Sequence, residues 1–145
     1  MSDEIREVVG RARNFFRSGA FLGLDNRREA LAKLEKVLFS RRDDLLAALA
    51  EDLGKPGMEA YLSEYYFLLQ ELRLVRKNMK KWLKRRRVSS PVYFWPCRSW
   101  IDREPFGVVL VIAPWNYPFQ LSLGPIIAAI AAGNTVVLKP SELAP

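Results

Sequence analysis

The chain has 145 residues, half of them hydrophobic and 27% charged, which excludes a disordered segment and suffices for one domain with a buried core. It contains no histidine, the commonest general base and metal ligand, and its single cysteine, Cys97, excludes an internal disulfide and fits a reducing compartment, the cytoplasm. The net charge of +7 is concentrated in KKWLKRRR, Lys80 to Arg87, and the rest is near neutral.

The opening MSDEIREVVG mixes acids and arginines without an apolar core, so no secretory signal is expected. From Asp3 to Phe16, Ile5, Val8, Val9, Ala12, Phe15 and Phe16 recur at helical spacing, with Ser18-Gly19 as a stop. Asp25-Asn26 is the expected cap of a second helix, lined by Leu31, Leu34 and Leu38. Asp43 or Asp44 opens a third, through Leu45, Leu46, Leu49 and Leu53, and Gly54 closes it. A fourth is expected from about Met58 to Lys84, with Met58, Leu62, Tyr65, Leu69, Leu72, Met79 and Leu83 on one face.

After the basic run the pattern changes. Pro91 to Pro96 and Arg98 to Arg103 are short and aromatic or alternating, as in an edge hairpin, where prolines are tolerated. From Phe106 to Leu138 no residue is charged. A membrane span needs about 20 apolar residues. Here Pro114, Pro118, Pro125, the amides of Asn116 and Gln120, and Gly133-Asn134 cut the run into shorter pieces, so no transmembrane segment is expected.

Those pieces spell strand, turn, helix, strand: Phe106 to Ile112, Phe119 to Ala132 with Gly133 as its stop, and Thr135 to Leu138. A right-handed βαβ unit follows, the first strand buried on both faces, with ligands bound beyond the carboxyl ends of the strands. The turns APWNYP and KPSE both fall on that edge. Asn116 there either presents N–H donors to an oxyanion or ties its own turn together. Lys139, Ser141 and Glu142 either grip the ribose and phosphates of a nucleotide or form a solvated turn that opens a helix.

EPFGVVLVIAPWNYPF, from Glu104, and AAIAAGNTVVLKPSEL, from Ala128, closely resemble the start of the cofactor domain in the aldehyde dehydrogenase superfamily. WNYPF and KPSEL resemble its class-three branch, of fatty and aromatic aldehydes. Arg11 to Arg13 (RAR), Phe16 to Gly19 (FRSG) and Ala50 to Lys55 (AEDLGK) are similar to that branch's N-terminal helices. The resemblance implies an α/β fold: a helical segment over 1–87, an edge hairpin over 88–104, and the start of a Rossmann-like NAD- or NADP-binding domain over 105–145. It implies that Asn116 is the oxyanion-hole asparagine and that Ile112, Ala113, Pro114 and Trp115 line the dinucleotide. Lys139 and Glu142, with Ser141 between them, would contact the adenosine ribose, and Tyr117 would face the substrate tunnel.

The reaction so implied is oxidation of an aldehyde to a carboxylic acid by NAD(P)+ through a cysteine thioester. The family's GSTxxG-type turn, base glutamate and nucleophilic cysteine have no counterpart in the chain, which corresponds to an N-terminal fragment expected to be inactive alone. Cys97 precedes Asn116, sits in the expected hairpin with only Arg98 beside it, and is not expected to replace the nucleophile. The segment from Pro91 to Arg103 resembles the family's oligomerisation element, so a homodimer is expected. The alternatives are a non-catalytic remnant or interaction module that associates with itself or a full-length paralogue, or a basic helix binding nucleic acid or an anionic membrane. Against the last, cations at a helix C-terminus are favoured by the helix dipole without any partner, and no nucleic acid is expected.

Overall fold

A computed structural model describes residues 3–144. Three helices open the chain: α1 (Asp3–Arg17), α2 (Leu24–Ser40) and α3 (Arg42–Leu53). Asp25 and Asn26 do not cap α2; Gly23 stands at that position, Asp25 lies in the first turn, and Asn26 instead donates to the Ala20 carbonyl at 2.8 Å. Arg41 precedes α3 in place of an aspartate, which leaves Asp43 and Asp44 in the first turn, where the helix dipole favours them. Gly54 ends α3 at φ 62°, the left-handed conformation that glycine adopts without a Cβ penalty.

The expected fourth helix is one helical rod with a flaw in it. It begins as α4 (Gly57–Ala60), passes through a π-helical segment (Tyr61–Tyr66) and continues as α5 (Phe67–Trp82). The wider π turns shift the inward face. Met58 and Leu62, expected inside, are exposed, whereas Ala60 and Glu64 are fully buried, followed by Leu68, Leu72, Val75 and Met79. These residues pack against Leu31 and Leu38 of α2, Leu45 and Leu49 of α3, and Ile127. The core thus lies among helices. Each fully buried leucine or isoleucine in it contributes about 1.5–3 kcal/mol.

The basic run does not simply end this rod. Lys80 and Lys81 close α5, but Arg86 and Arg87 belong to β1 (Arg86–Val88), which pairs antiparallel with β2 (Ser99–Ile101). The ribbon is therefore real but its first strand starts earlier than expected, and Val92–Phe94 form a 3₁₀ turn at its tip instead of a strand. Helix-dipole stabilisation covers only the two lysines. Arg85 is satisfied within the chain, paired with Asp102 at 3.0 Å and lying 5.1 Å from the Trp100 ring centroid. Cys97 is exposed and unpaired.

The uncharged block forms β3 (Val108–Ile112), α6 (Pro118–Ala132) and β4 (Thr135–Lys139), with β3 and β4 parallel. Pro118 occupies the first turn of α6, where its missing N–H costs nothing, and Gly133 ends the helix at φ 95°. β3 is not buried on both faces: Val111 is inside while Leu110 and Ile112 are exposed, because only two strands form this sheet among the described residues. Asn134, almost fully buried, accepts the Gly107 N–H at 2.9 Å and donates to the Ala129 carbonyl at 3.2 Å, tying the entry of β3 to the end of α6. Arg27, also buried, donates to the Leu22 carbonyl at 3.0 Å, to that of Phe21, and to that of Ala131 at 3.1 Å. No helix among the described residues is long and apolar enough to cross a membrane.

Candidate cofactor and oxyanion site

The parallel register sets Ile112 opposite Lys139, so β3 and β4 end at the same level. The Ala113 N–H donates to the Lys139 carbonyl at 3.0 Å and carries the pairing one residue further. Beyond it the chain leaves the sheet. Ala113 is buried, Pro114, Trp115 and Asn116 are exposed, and Tyr117 is half-buried at the cap of α6.

Asn116 stands at the crest of this turn. Its side-chain amide makes no hydrogen bond to another of the described residues. Its backbone carbonyl does take part in bonding: the Lys55 ammonium donates to it at 2.9 Å. Lys55 lies 3.9 Å from the centroid of the Tyr117 ring and is ion-paired with Glu64. Glu64 in turn accepts the Phe119 N–H at 2.9 Å and the Gln120 N–H at 3.4 Å, satisfying free donors at the start of α6.

The second turn is shaped by its own side chains. Lys139 and Glu142 form an ion pair, and hydrogen bonding to Lys139 holds the Glu142 carboxyl below its ordinary range. Ser141 Oγ accepts the Leu143 N–H at 3.2 Å, which makes a turn and not a helix start. Both Lys139 and Glu142 remain solvent-accessible. A cavity of about 250 Å³, lined by Asp52, Phe119, Ser122, Leu138 and Pro140, opens between α3, α6 and the end of β4.

Lys55 and Glu64 are missing from the residues that the sequence nominated. A trace of Glu64 was there, since it stands four residues after Ala60 and four before Leu68, on the stripe that turns inward. Among the described residues no group of three or more histidine, cysteine, aspartate or glutamate side chains is placed to hold a metal ion.

A parallel strand–helix–strand unit whose carboxyl edge carries a free amide and a Lys–Glu pair has the plan of an α/β dinucleotide-binding sheet, in which ligands sit beyond the strand ends. Residues 1–145 match the aldehyde dehydrogenase family model, and the chain belongs to that family. It is 47% identical over 131 residues to the 4,4'-diaponeurosporen-aldehyde dehydrogenase of Staphylococcus aureus, covering 90% of this chain and 28% of that protein. It is 42% identical over 144 residues to aldehyde dehydrogenase family 3 member H1 of Arabidopsis thaliana, covering 99% of this chain and 30% of that one.

Among solved structures, Staphylococcus aureus AldH in a substrate-bound state superposes with a TM-score of 0.96 at 44% identity, over 100% of this chain and 31% of that one. The glyceraldehyde-3-phosphate dehydrogenase GapN of Methanocaldococcus jannaschii, complexed with NADP, gives a TM-score of 0.87 at 29% identity, over 99% and 30%. The chain thus spans about a third of the length of these relatives.

Proposed function

We propose that this chain supplies the oxyanion donor and part of the dinucleotide grip of an enzyme that oxidises an aldehyde to a carboxylic acid with NAD+ or NADP+. The observation that carries this reading is the Asn116 amide, exposed, without a protein partner among the described residues, and set on a backbone held from below by Lys55. Donors fixed before the reaction stabilise charge that develops on a carbonyl oxygen, because nothing need reorganise as the charge appears. Here the Asn116 N–H groups would bind the oxygen of an aldehyde attacked by a cysteine thiolate. That cysteine, like the glutamate that activates water for thioester hydrolysis, has no counterpart in this chain.

The donor set of the second turn suits a dinucleotide. A carboxylate beside an ammonium offers acceptors and donors together, which is what the vicinal hydroxyls of a ribose require. Glu142 and Lys139 would hold that ribose, with Ser141 shaping the turn, and Ile112, Ala113, Pro114 and Trp115 would form the adjoining wall. When bound, the nicotinamide supplies a hydride acceptor. Tyr117, fixed over Lys55, would border the aldehyde path.

The relative named for 4,4'-diaponeurosporen-aldehyde supports a large apolar aldehyde as the substrate class. The apolar tip of the β1–β2 ribbon, with Val92 and Trp95 the most exposed of its large side chains, supports a homodimer formed through that ribbon. The lone, unpaired Cys97 supports the cytoplasm as the compartment. The pairing of Arg85 with Asp102 favours an internal use of part of the basic run over nucleic acid binding.

Steady-state kinetics test the reading. In the longest product of the gene, Asn116→Ala should lower kcat by a factor of about 100–1000, the usual cost of one oxyanion donor, with dinucleotide KM little changed. The purified 145-residue chain should give no aldehyde-dependent NADH or NADPH. An Asn116→Ala variant with full turnover would falsify the assignment of that residue.

A further inference from the structure

Lys55 and Glu64 form the driest ion pair among the described residues, their side chains 9% and 0% exposed. A pair so deeply desolvated is weak evidence of stability, since well-packed apolar side chains of the same volume often serve as well. Its bonds, however, converge on one short segment. One carboxylate oxygen of Glu64 takes Lys55 and the other takes the Phe119 and Gln120 N–H groups. The ammonium takes the Asn116 carbonyl and lies against the Tyr117 ring. The stretch from Asn116 to Gln120 is thus gripped on both sides of Pro118 by residues from the helical layer, at positions 55 and 64.

We propose that Lys55 and Glu64 are positioning residues for Asn116. They fix the carbonyl on one side of the turn, so that the side-chain amide projects from a backbone unable to rotate away. The division of labour is specific: Glu64 holds the start of α6, and Lys55 holds the crest of the turn. This inference rests on the oxyanion reading of Asn116. It adds that the amide is aimed by a buried charge pair and not by the loop's own sequence.

A role confined to stapling α6 against the helical layer makes a different prediction from one in aiming the amide. Removing one member alone leaves a buried charge uncompensated, so the informative variant is the neutral double, Lys55→Met/Glu64→Gln. It keeps an acceptor for the Phe119 N–H and removes the cation from the Asn116 carbonyl. Lys55→Arg is its counterpart, retaining a cation and donors at the same place.

Both variants and Asn116→Ala would be made in the longest product of the gene. Hydrogen exchange would be followed over the peptide from Trp115 to Gln120, beside kcat and KM with a long-chain aldehyde and each dinucleotide. The double variant should melt near the wild type and exchange that peptide roughly tenfold faster or more. Its kcat should fall by roughly tenfold to a hundredfold with dinucleotide KM unchanged, and Lys55→Arg should stay close to wild type in exchange and rate.

Unchanged exchange in the double variant overturns the proposal, whatever the turnover. Faster exchange with wild-type kcat also overturns it, where Asn116→Ala loses its rate. A wild type without aldehyde turnover, or an Asn116→Ala variant that keeps its rate, sinks the oxyanion reading instead, and the exchange result alone then decides whether the pair holds the turn.

Discussion

Arg27 and Ala131 are joined at 3.1 Å, guanidinium to carbonyl, across 104 positions of the chain. The same guanidinium holds the Leu22 carbonyl at 3.0 Å and that of Phe21, so one buried cation closes both the loop before α2 and the end of α6. Arg27→Met should therefore cost about 1–3 kcal/mol, since it removes the shared donor from three backbone carbonyls, one of them buried. Gly133 lies directly beneath it: a Cβ there would sit 2.7 Å from the guanidinium carbon, at a φ of 95°. Gly133→Ala should cost about 1–3 kcal/mol from backbone strain, with the clash in addition. The double variant should lose less than the sum, because the clash disappears with the arginine. Urea unfolding of the four proteins checks all three statements.

Glu71 sits on α5 beside Gly124 of α6, and burial pushes its carboxyl above the ordinary glutamate range. A raised folded-state pKa means that the folded protein holds the proton more tightly than the unfolded one. The penalty is complete above the folded-state value and fades as pH falls through it toward the unfolded value. Glu71→Gln should thus stabilise the protein at neutral pH and lose its advantage in acid. Unfolding midpoints across that range should show the two curves converging downward in pH, and parallel curves would contradict the assignment.

The Glu142 carboxyl is shifted in the other direction. With the Glu142 carboxyl depressed chiefly by its hydrogen bond to Lys139, the pair's contribution is present above the unfolded-state value and lost as pH falls through the depressed one. Lys139→Met should return Glu142 toward its ordinary range, measured by carboxyl carbon NMR. Thermal stability should hardly change, because the pair is solvent-exposed.

The ribbon tip carries Val92 at 90% exposure and Trp95 at 85%, with Tyr93 and Phe94 between them. Side chains of this size in one patch favour association. Light scattering should find the purified chain larger than a monomer, and Val92→Lys/Trp95→Lys should return it to a single copy. An unchanged mass would place association elsewhere on the molecule.

Periodicity and punctuation carry much of this architecture. The helical stretches, the ribbon and the strand–helix–strand unit follow from apolar spacing, from glycines at 54 and 133, and from Pro118. What escaped was set by contacts between distant positions. The π segment follows no local signal in Tyr61–Tyr66, yet it exposes Met58 and Leu62 and turns Glu64 inward. Gly23, and not Asp25, stands at the cap of α2, and Asp25 falls in its first turn. At the site, Asn116 and the Lys139–Glu142 pair stood out because polar residues are rare around them. Lys55 and Glu64 did not, because their partners are backbone atoms some sixty positions away.

Three of the long-range polar bonds described above share one direction. Arg27 reaches Ala131, Lys55 reaches Asn116, and Glu64 reaches Phe119, each time from the front helices or the loop between them to the strand–helix–strand unit. Recombination that joined this βαβ unit to a foreign helical layer would keep its hydrophobic faces and its hydrogen-bonded strands. It would nevertheless orphan backbone groups at both ends of α6 and loosen the turn that displays Asn116. Transplanting the unit intact therefore requires arginine, lysine and glutamate to travel with it, at positions that look unremarkable in a linear sequence.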